Sequence, residues 1–474
     1  MFHVRRPLVA AAAIVWLALT ATSAAAMAPG AFEQAPRKAP RQDIVRSPYA
    51  QWPVDQAQPR LRRVQYGAIG DERRLTGRVQ ARDEAVRRRQ RPQFQPTGTD
   101  LGKVFGEGTG IGSYTLYPSL GSGLLFDDNV FRAPLDQASD IFARIEPTLD
   151  FRSDWLNHQA DLRLSGQIDR YFEETTNNSE DFFADFDGRY DLANDDALTL
   201  TARAGRAHEL RSDPNTAPGT ENVNEFFIVE SLIEGQFRIS NLLLEPLFEF
   251  THFDFRDNGA VLNDDRDRVV YRSGGRIGYQ ARPGFAVFVQ GTYEITRYRI
   301  ETDFDGFRRD STGYDIRAGT RFEPSGVTYL EATVGYFDID IDDPRLDDPN
   351  GIAVNASLTW NPTDLATVTG SVSREVLETT LADISSIDTT RFGLNLDYEI
   401  LVPLIASVQG SYQRQDFKDD ERLDEIVSGG ALLTYFINRN VMMEAQYTHS
   451  RRASNDAFSD FVANRASLRL RFQL

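Results

Sequence analysis

Cysteine is missing from all 474 residues of this chain, and histidine occurs only five times. The absence of cysteine excludes disulfide bonds, thiolate ligation of zinc or iron–sulfur clusters, and a lipid-modified N-terminal cysteine. With so few histidines and no nucleotide-binding loop, the sequence predicts no cofactor, and nothing in it suggests nucleic-acid binding.

Long hydrophobic runs are also scarce. The run Leu8–Leu19 follows Arg5 and Arg6 and precedes three alanines, which is the pattern of a signal peptide cleaved after Ala26. It is too short for a membrane-spanning helix, and no other segment approaches the required length. We therefore expect residues 1–26 to be an export signal, and a membrane protein made from this chain would have to be a β-barrel.

Charge is distributed unevenly. Residues 1–100 carry 17 Lys and Arg against 8 Asp and Glu, a net charge of about +9, while the rest carries about −27. Residues 27–110 are rich in Pro and Arg without periodicity, which predicts a basic, disordered periplasmic segment. Its eleven arginines between Arg60 and Arg91 suit an acidic partner, including a barrel interior, although a solvated linker is the alternative.

The last segment, Ser459–Leu474, shows the pattern that organises the remaining chain. Leu468, Leu470 and Phe472 alternate with Arg469 and Arg471, which predicts a strand with one lipid-facing and one water-facing side. About eighteen such segments follow one another from residue 111 to 474, each long enough to cross a bilayer when tilted. We therefore predict an all-β fold: a transmembrane antiparallel up-and-down β-barrel of about 18 strands, with 16 as the alternative.

The connections between these segments support the same topology. Short turns alternate with longer loops rich in Asp and Asn, as in outer-membrane barrels with short periplasmic turns and long external loops. With an even number of strands, both ends of the barrel lie in the periplasm. The last strand should then pair with the first, near Tyr114–Phe126.

An aromatic residue precedes each short turn, which predicts a girdle at one membrane interface. A β-propeller or a secreted solenoid also repeats at this length, but propeller blades lack the strict alternation of loop length. The aromatic residues are Phe151, Trp155, Tyr190, Phe237, Tyr279, Phe322, Trp360, Tyr398, Tyr435 and Phe472.

Charged residues occupy the polar side of many strands. A charge facing lipid is costly, so we expect these side chains to face an aqueous lumen, either as cross-links of the wall or as a transverse field that selects solutes. The lumen-facing candidates are Asp161, Arg163, Arg203, Glu245, Glu249, Arg272, Arg276, Glu294, Arg317, Arg321, Glu331, Glu444, Arg465, Arg469 and Arg471.

Catalytic and metal sites find little support. His208, His252 and His449 fall near strand ends, where barrel hydrolases place catalytic groups, but no serine or acid accompanies them at a telling spacing. The acidic stretch Asp338–Gly351 lacks the glycine and glutamate that an EF-hand loop requires. We therefore expect neither an enzyme nor a dedicated metal site, with divalent ions bridging this loop to lipopolysaccharide as the alternative.

The opening of the body reads GSGLLFDDNVFR and continues SDIFARIEPTLDFRSDW. This stretch resembles the β-barrel porin family of outer-membrane proteins that are often associated with exopolysaccharide export. The resemblance implies a location in the bacterial outer membrane and the passage of polysaccharide or another polar solute.

Two functions are consistent with these features. The first is a channel for polysaccharide or other polar solutes, in contact with outer-membrane lipid, lipopolysaccharide and the polysaccharide export machinery. The second is a non-conducting docking barrel whose lumen is occluded by the basic segment. The sequence sets neither the oligomeric state nor the direction of transport.

Overall fold

The computed structural model describes residues 108–155, 157–192, 196–216, 222–258, 262–324, 327–363, 365–401, 403–456 and 458–474. The expected signal peptide and almost all of the basic segment lie outside these residues. In the described part of the chain, no helix is long and apolar enough to span a membrane.

Nineteen strands and two single-turn 3₁₀ helices make up the described chain. The 3₁₀ helices are Thr175–Asn177 and Asp264–Arg266. The strands are β1 Thr109–Ile111, β2 Tyr114–Asp127, β3 Asp140–Ser153, β4 Gln159–Tyr171, β5 Ser179–Asp191, β6 Ala197–His208, β7 Glu225–Ile239, β8 Leu242–Phe255, β9 Arg268–Arg282, β10 Phe285–Tyr298, β11 Ser311–Phe322, β12 Thr328–Ile341, β13 Asn350–Thr363, β14 Ala366–Glu378, β15 Ser386–Leu401, β16 Leu404–Phe417, β17 Leu423–Asn438, β18 Val441–Ser454 and β19 Phe461–Gln473.

Strands β2–β19 form a closed antiparallel barrel of eighteen strands, as predicted. Each strand pairs with its neighbours in the chain, and β19 closes the barrel on β2 in the register Leu468↔Leu124 and Phe472↔Leu120. The short β1 adds to β2 through Thr109↔Leu116. Thr109 and Gly110, which the sequence analysis placed in the basic segment, are therefore paired to the barrel.

Side-chain exposure alternates along the strands because successive residues point to opposite faces of a sheet. On β16, Val408 is 56% exposed on the outer face, whereas its neighbour Ser407 is 4% exposed on the inner face. Leu394 and Leu396 of β15 are exposed in the same way. The apolar residues of the alternating pattern thus form the outer surface.

Two aromatic girdles border this outer surface. The girdle predicted beside the short turns is present, with exposed Tyr190, Tyr279, Trp360, Tyr398, Tyr435 and Phe472. A second girdle, which the sequence did not reveal, lies toward the long loops and includes the exposed Tyr271, Tyr293, Tyr314, Tyr336, Phe392 and Tyr447. On β9 the two are eight residues apart, on the order of 27 Å along the strand, which suits the apolar thickness of an outer membrane.

Short and long connections alternate around the barrel, so one end carries only tight turns. These turns have two to five residues, and the connections at the other end have five to sixteen. In the turn between β9 and β10, Gly284 has φ +74°, and a Cβ atom there would lie 2.2 Å from the carbonyl oxygen of Glu323. This turn therefore requires glycine.

Replacing Val408 with arginine should impair barrel assembly, because its side chain lies on the outer face midway between the girdles. A charge at that depth costs about 2–4 kcal/mol. The matched control is Gln409→Arg, on the inner face beside Gly430. Urea titration in lipid vesicles should show lower stability for the first variant only; equal losses would contradict the assignment of faces.

Candidate functional site

The fifteen predicted lumen residues all occupy inner-face positions of their strands. The proof that this face is the barrel interior lies in contacts between strands that are not neighbours. Arg321 of β11 donates to Glu245 of β8 at 2.9 Å. Three strand spacings, about 14 Å along the wall, separate β8 from β11. Only side chains on the concave face of a curved sheet can close such a gap.

One row of inner-face charges alternates in sign across five neighbouring strands. The strand register places Asp150, Arg163, Asp185, Arg203 and Glu230 side by side on β3 to β7. Arg203 lies 3.2 Å from Asp185. Opposite charges directly across from each other stabilise strand pairing.

A second group of charges joins β8 to β12. Glu331 accepts hydrogen bonds from Arg276 at 3.0 Å and from Arg321 at 2.8 Å. Glu245 lies 3.6 Å from Arg276 and also accepts from Arg321. The Arg276 guanidinium stacks 4.0 Å from the ring centre of Phe288. Both arginines are therefore fully engaged by protein groups.

The remaining candidates also have partners on the inner wall. Arg272 donates to Glu249 at 2.9 Å and bridges to Glu294. Arg317 donates to Asp315 at 2.7 Å, and Asp161 accepts from the backbone N–H of Ser153 at 3.0 Å.

The closing strand β19 carries three of the arginines. Arg465 donates to the fully buried Asp127 at 2.7 Å. Arg469 lies 3.4 Å from Glu146 and 3.5 Å from Glu444, and Arg471 lies 3.8 Å from Glu146. These pairs link β19 to its neighbour β18 and, across the closure, to β2 and β3.

At the long-loop end, the hairpin between β14 and β15 separates from β13, while β15 stays paired with β16 up to Ile387↔Phe417. Pairing of β14 with β13 ends at Val354↔Arg374, whereas β14 and β15 remain paired to Glu378↔Ser386. Val376 and Leu377 are adjacent in sequence and point to opposite faces, yet they are only 7% and 3% exposed. Residues 375–387, which we call the inward hairpin, therefore have protein on both faces at Val376 and Leu377, whereas Ala382 and Asp383 in its turn are exposed.

Contacts of the inward hairpin show that it turns into the lumen. On one face, Val376 packs against Phe337 of β12 and Ala353 of β13. At its tip, Glu378 accepts hydrogen bonds from Arg268 of β9 at 2.7 Å and from Thr296 of β10 at 2.9 Å. Five spacings, about 24 Å of wall, separate β9 from β14. The hairpin thus crosses part of the interior.

The loop 209–216 between β6 and β7 enters the lumen from another side at its long-loop end, which we call the mouth. Arg452 of β18 donates to the backbone carbonyl of Ser212. Glu209 is 2% exposed and accepts from Arg266 at 3.0 Å. A small cavity lined by Asn215 and Glu378, among others, lies where the loop and the inward hairpin meet. Together these two segments narrow the long-loop end.

The pKa values of charged groups at the mouth reflect the burial of these groups away from water. Burial raises the pKa of the Asp267 carboxyl to about 6, although the N–H of Phe255 donates to it at 2.6 Å and Arg299 lies 3.1 Å away. Burial by itself would lower the pKa of Arg266, but the ion pair with Glu209 raises it above its usual range. Charged groups at the mouth are therefore held in place by their partners.

Two of the three histidines that the sequence analysis considered contact a polar side chain. His208 contacts Asp181 at 2.9 Å, and His449 contacts Asn464 at 2.8 Å. In the acidic loop, Asp343 accepts from the side chain of Arg345 at 2.9 Å. Among the residues that the structure describes, no cluster of three or more His, Asp or Glu side chains is arranged to hold a metal ion.

The sequence predicted charged positions along the wall but not the residues that narrow the mouth. Arg268, Glu378, Arg452 and the loop 209–216 were not among the candidates. The length of the β6–β7 connection, sixteen residues, was the one available signal. A strand pattern cannot tell whether a long loop turns outward or into the lumen.

Comparison with known proteins gives a family. A model of the family described as "Putative beta-barrel porin 2" matches residues 106–474, more than three quarters of the chain. None of the curated proteins searched matches the chain.

Solved structures with similar folds include three from Pseudomonas aeruginosa. The outer-membrane protein OpdK is 10% identical with a TM-score of 0.41, and the match covers 76% of this chain and 99% of that one. OpdL is 13% identical with a TM-score of 0.41, covering 77% and 100%. OccK2 (OpdF), solved in complex with glucuronate, is 11% identical with a TM-score of 0.41, covering 76% and 98%.

Replacing Glu378 with glutamine should loosen the inward hairpin, because it removes the charge that pairs with Arg268. The matched control is Glu375→Gln. Glu375 pairs with Arg391 at 3.1 Å, but Arg391 lies on the adjacent strand β15, so this ion pair does not cross the lumen. Hydrogen–deuterium exchange should become several-fold faster in the hairpin of the first variant and stay near wild type in the second. Unchanged exchange in both would show that the tether does not hold the hairpin.

Proposed function

Since the chain belongs to the beta-barrel porin 2 family and is a porin-like barrel of the bacterial outer membrane, we propose that it passes polysaccharide and other polar solutes. The observation that carries this proposal is the polar inner wall of β2–β19, which ends in a mouth narrowed by the inward hairpin and the loop 209–216. A polar lumen offers solutes the hydrogen bonds that they lose with water.

Selection by such a channel would take place at two levels. The mouth restricts size, because two segments reach across it and are tied down by Arg268, Arg452 and Arg266. Below the mouth, the charged rows impose a local field on ions and solutes. Catalysis plays no part in this proposal, since a channel needs only passage.

The orientation that fits this function places the long loops outside the cell and the short turns in the periplasm. Residues 1–26 would direct export, and both ends of the barrel would face the periplasm, where polysaccharide export machinery could deliver cargo. Between the second aromatic girdle and the long loops, Arg170 and Arg297 have side chains that are 44% and 46% exposed. Such arginines suit the phosphates of lipopolysaccharide.

Replacing Arg469 and Arg471 with glutamate should shift the ion selectivity of the channel toward cations, because both side chains lie on the inner wall. Arg465 is left intact because it pairs with the buried Asp127. The control is Arg439→Glu, the same change of charge in the turn between β17 and β18. Reversal potentials in a KCl gradient across planar bilayers measure the effect, and equal selectivity in all three proteins would exclude these residues from the conduction path.

Deleting residues 27–100 separates the channel from a docking barrel closed by the basic segment. A channel should conduct KCl with and without the segment. Conductance only after deletion would identify the segment as a plug or gate. A barrel that stays silent in both forms would refute the proposed channel.

A further inference from the structure

Six consecutive strands, β13 to β18, carry no charge at two successive levels of the inner wall. The strand register aligns the members of each level across neighbouring strands. We call these twelve positions the neutral sector: Thr359, Thr369, Asn395, Gln409, Gly430 and Thr448 at one level, and Ser357, Ser371, Gly393, Ser411, Ser428 and Ser450 at the other.

We propose that the neutral sector is the surface along which an uncharged linear oligosaccharide passes through the barrel. This inference rests on the proposed channel function and adds the chemical class of the solute and its place in the lumen. Its width, five spacings, is about 24 Å, and its two levels lie about 7 Å apart along the strands. This area is large enough to contact several sugar units at once.

The charged wall of β8 to β12, which adjoins the neutral sector at β13, is unsuited to this role because its groups already bind one another. Arg272 bridges Glu249 and Glu294, and Arg276 and Arg321 share Glu245 and Glu331. A solute that binds there must compete with charge-assisted hydrogen bonds, which are roughly twice as strong as neutral ones. Those residues cross-link the wall and leave few free hydrogen-bonding groups for a neutral sugar.

Side chains of the neutral sector, in contrast, have hydrogen-bonding capacity to spare. Ser371 is exposed to the lumen, and Ser357, Gln409 and Ser411 are half-buried. Within the described chain none of these four side chains makes a hydrogen bond to another residue. Hydroxyl and amide groups both donate and accept, as sugar hydroxyls do.

Weak, interchangeable contacts are what passage of a polymer requires. A conducting path must bind strongly enough to admit a solute and weakly enough to release it from each of many sites. Small serine, threonine and glycine side chains also leave more room on this side than arginine and phenylalanine leave on the other. An anionic chain finds no counter-charge in the sector, so the geometry favours an uncharged one.

Substituting two hydroxyls of the neutral sector tests this proposal. The variant Ser371→Ala/Ser411→Ala removes them, and the matched control Thr148→Val/Thr201→Val removes two hydroxyls from the inner faces of β3 and β6. In planar bilayers, maltohexaose, an uncharged linear hexasaccharide, should interrupt the KCl current of the wild-type full chain transiently. We expect its binding constant to fall about fivefold or more in the serine variant only, as for two lost hydrogen bonds.

The outcomes separate this inference from the function on which it rests. Absence of KCl current both in the wild-type protein and after deletion of residues 27–100 would refute the channel itself. Normal KCl current with equal maltohexaose binding in both variants would leave the channel standing and overturn the assignment of the neutral sector. Stronger block by tetragalacturonate, an anionic saccharide, than by maltohexaose would also overturn it. Unchanged KCl conductance in the serine variant shows that its barrel is intact.

Discussion

Backbone pairing is the constraint on which the rest of this structure depends. Hydrocarbon offers no hydrogen-bond partner, so each lipid-facing peptide group must be paired within the sheet, and an open edge is excluded. Closure of β19 on β2 meets this condition, and the alternation of apolar and polar residues follows from it. Where β13 and β14 separate beyond Val354 and Arg374, the released strand turns into the interior, where protein groups surround it.

The inner wall divides into a side that is cross-linked by ion pairs and a side that carries mainly uncharged polar residues. On β3 to β12, opposite charges face one another across neighbouring strands, and their ion pairs cross-link the barrel. On β13 to β18, hydroxyl and amide groups lie in rows with little demand on one another. Most charges on the inner wall therefore cross-link neighbouring strands, and the uncharged residues of β13 to β18 are the ones that we propose as the contact surface for a neutral solute.

The mouth is the least firmly held part of the barrel, because the strands themselves are held by continuous ladders of hydrogen bonds. The inward hairpin and the loop 209–216 are attached to the opposite wall by a few side chains, among them Arg268 and Arg452. Segments with few tethers open at lower free energy than paired strands. The inward hairpin and the loop 209–216 therefore depend on these tethers for their position at the mouth.

The sequence alone determined the barrel, its eighteen strands, the closing pair and the inner-face positions of the charged residues. Each of these follows from the two-residue period of a strand and the alternation of turns and loops, which are local properties. The sequence could not reveal which charges pair, because pairing depends on the register between strands. The sequence also did not predict the segments that narrow the mouth. Arg452 and Ser212 are 240 residues apart in the chain. Val376 and Leu377 have the sequence pattern of an ordinary strand end. Only the curvature of the closed barrel brings such groups together, so the tertiary structure decided where the lumen narrows.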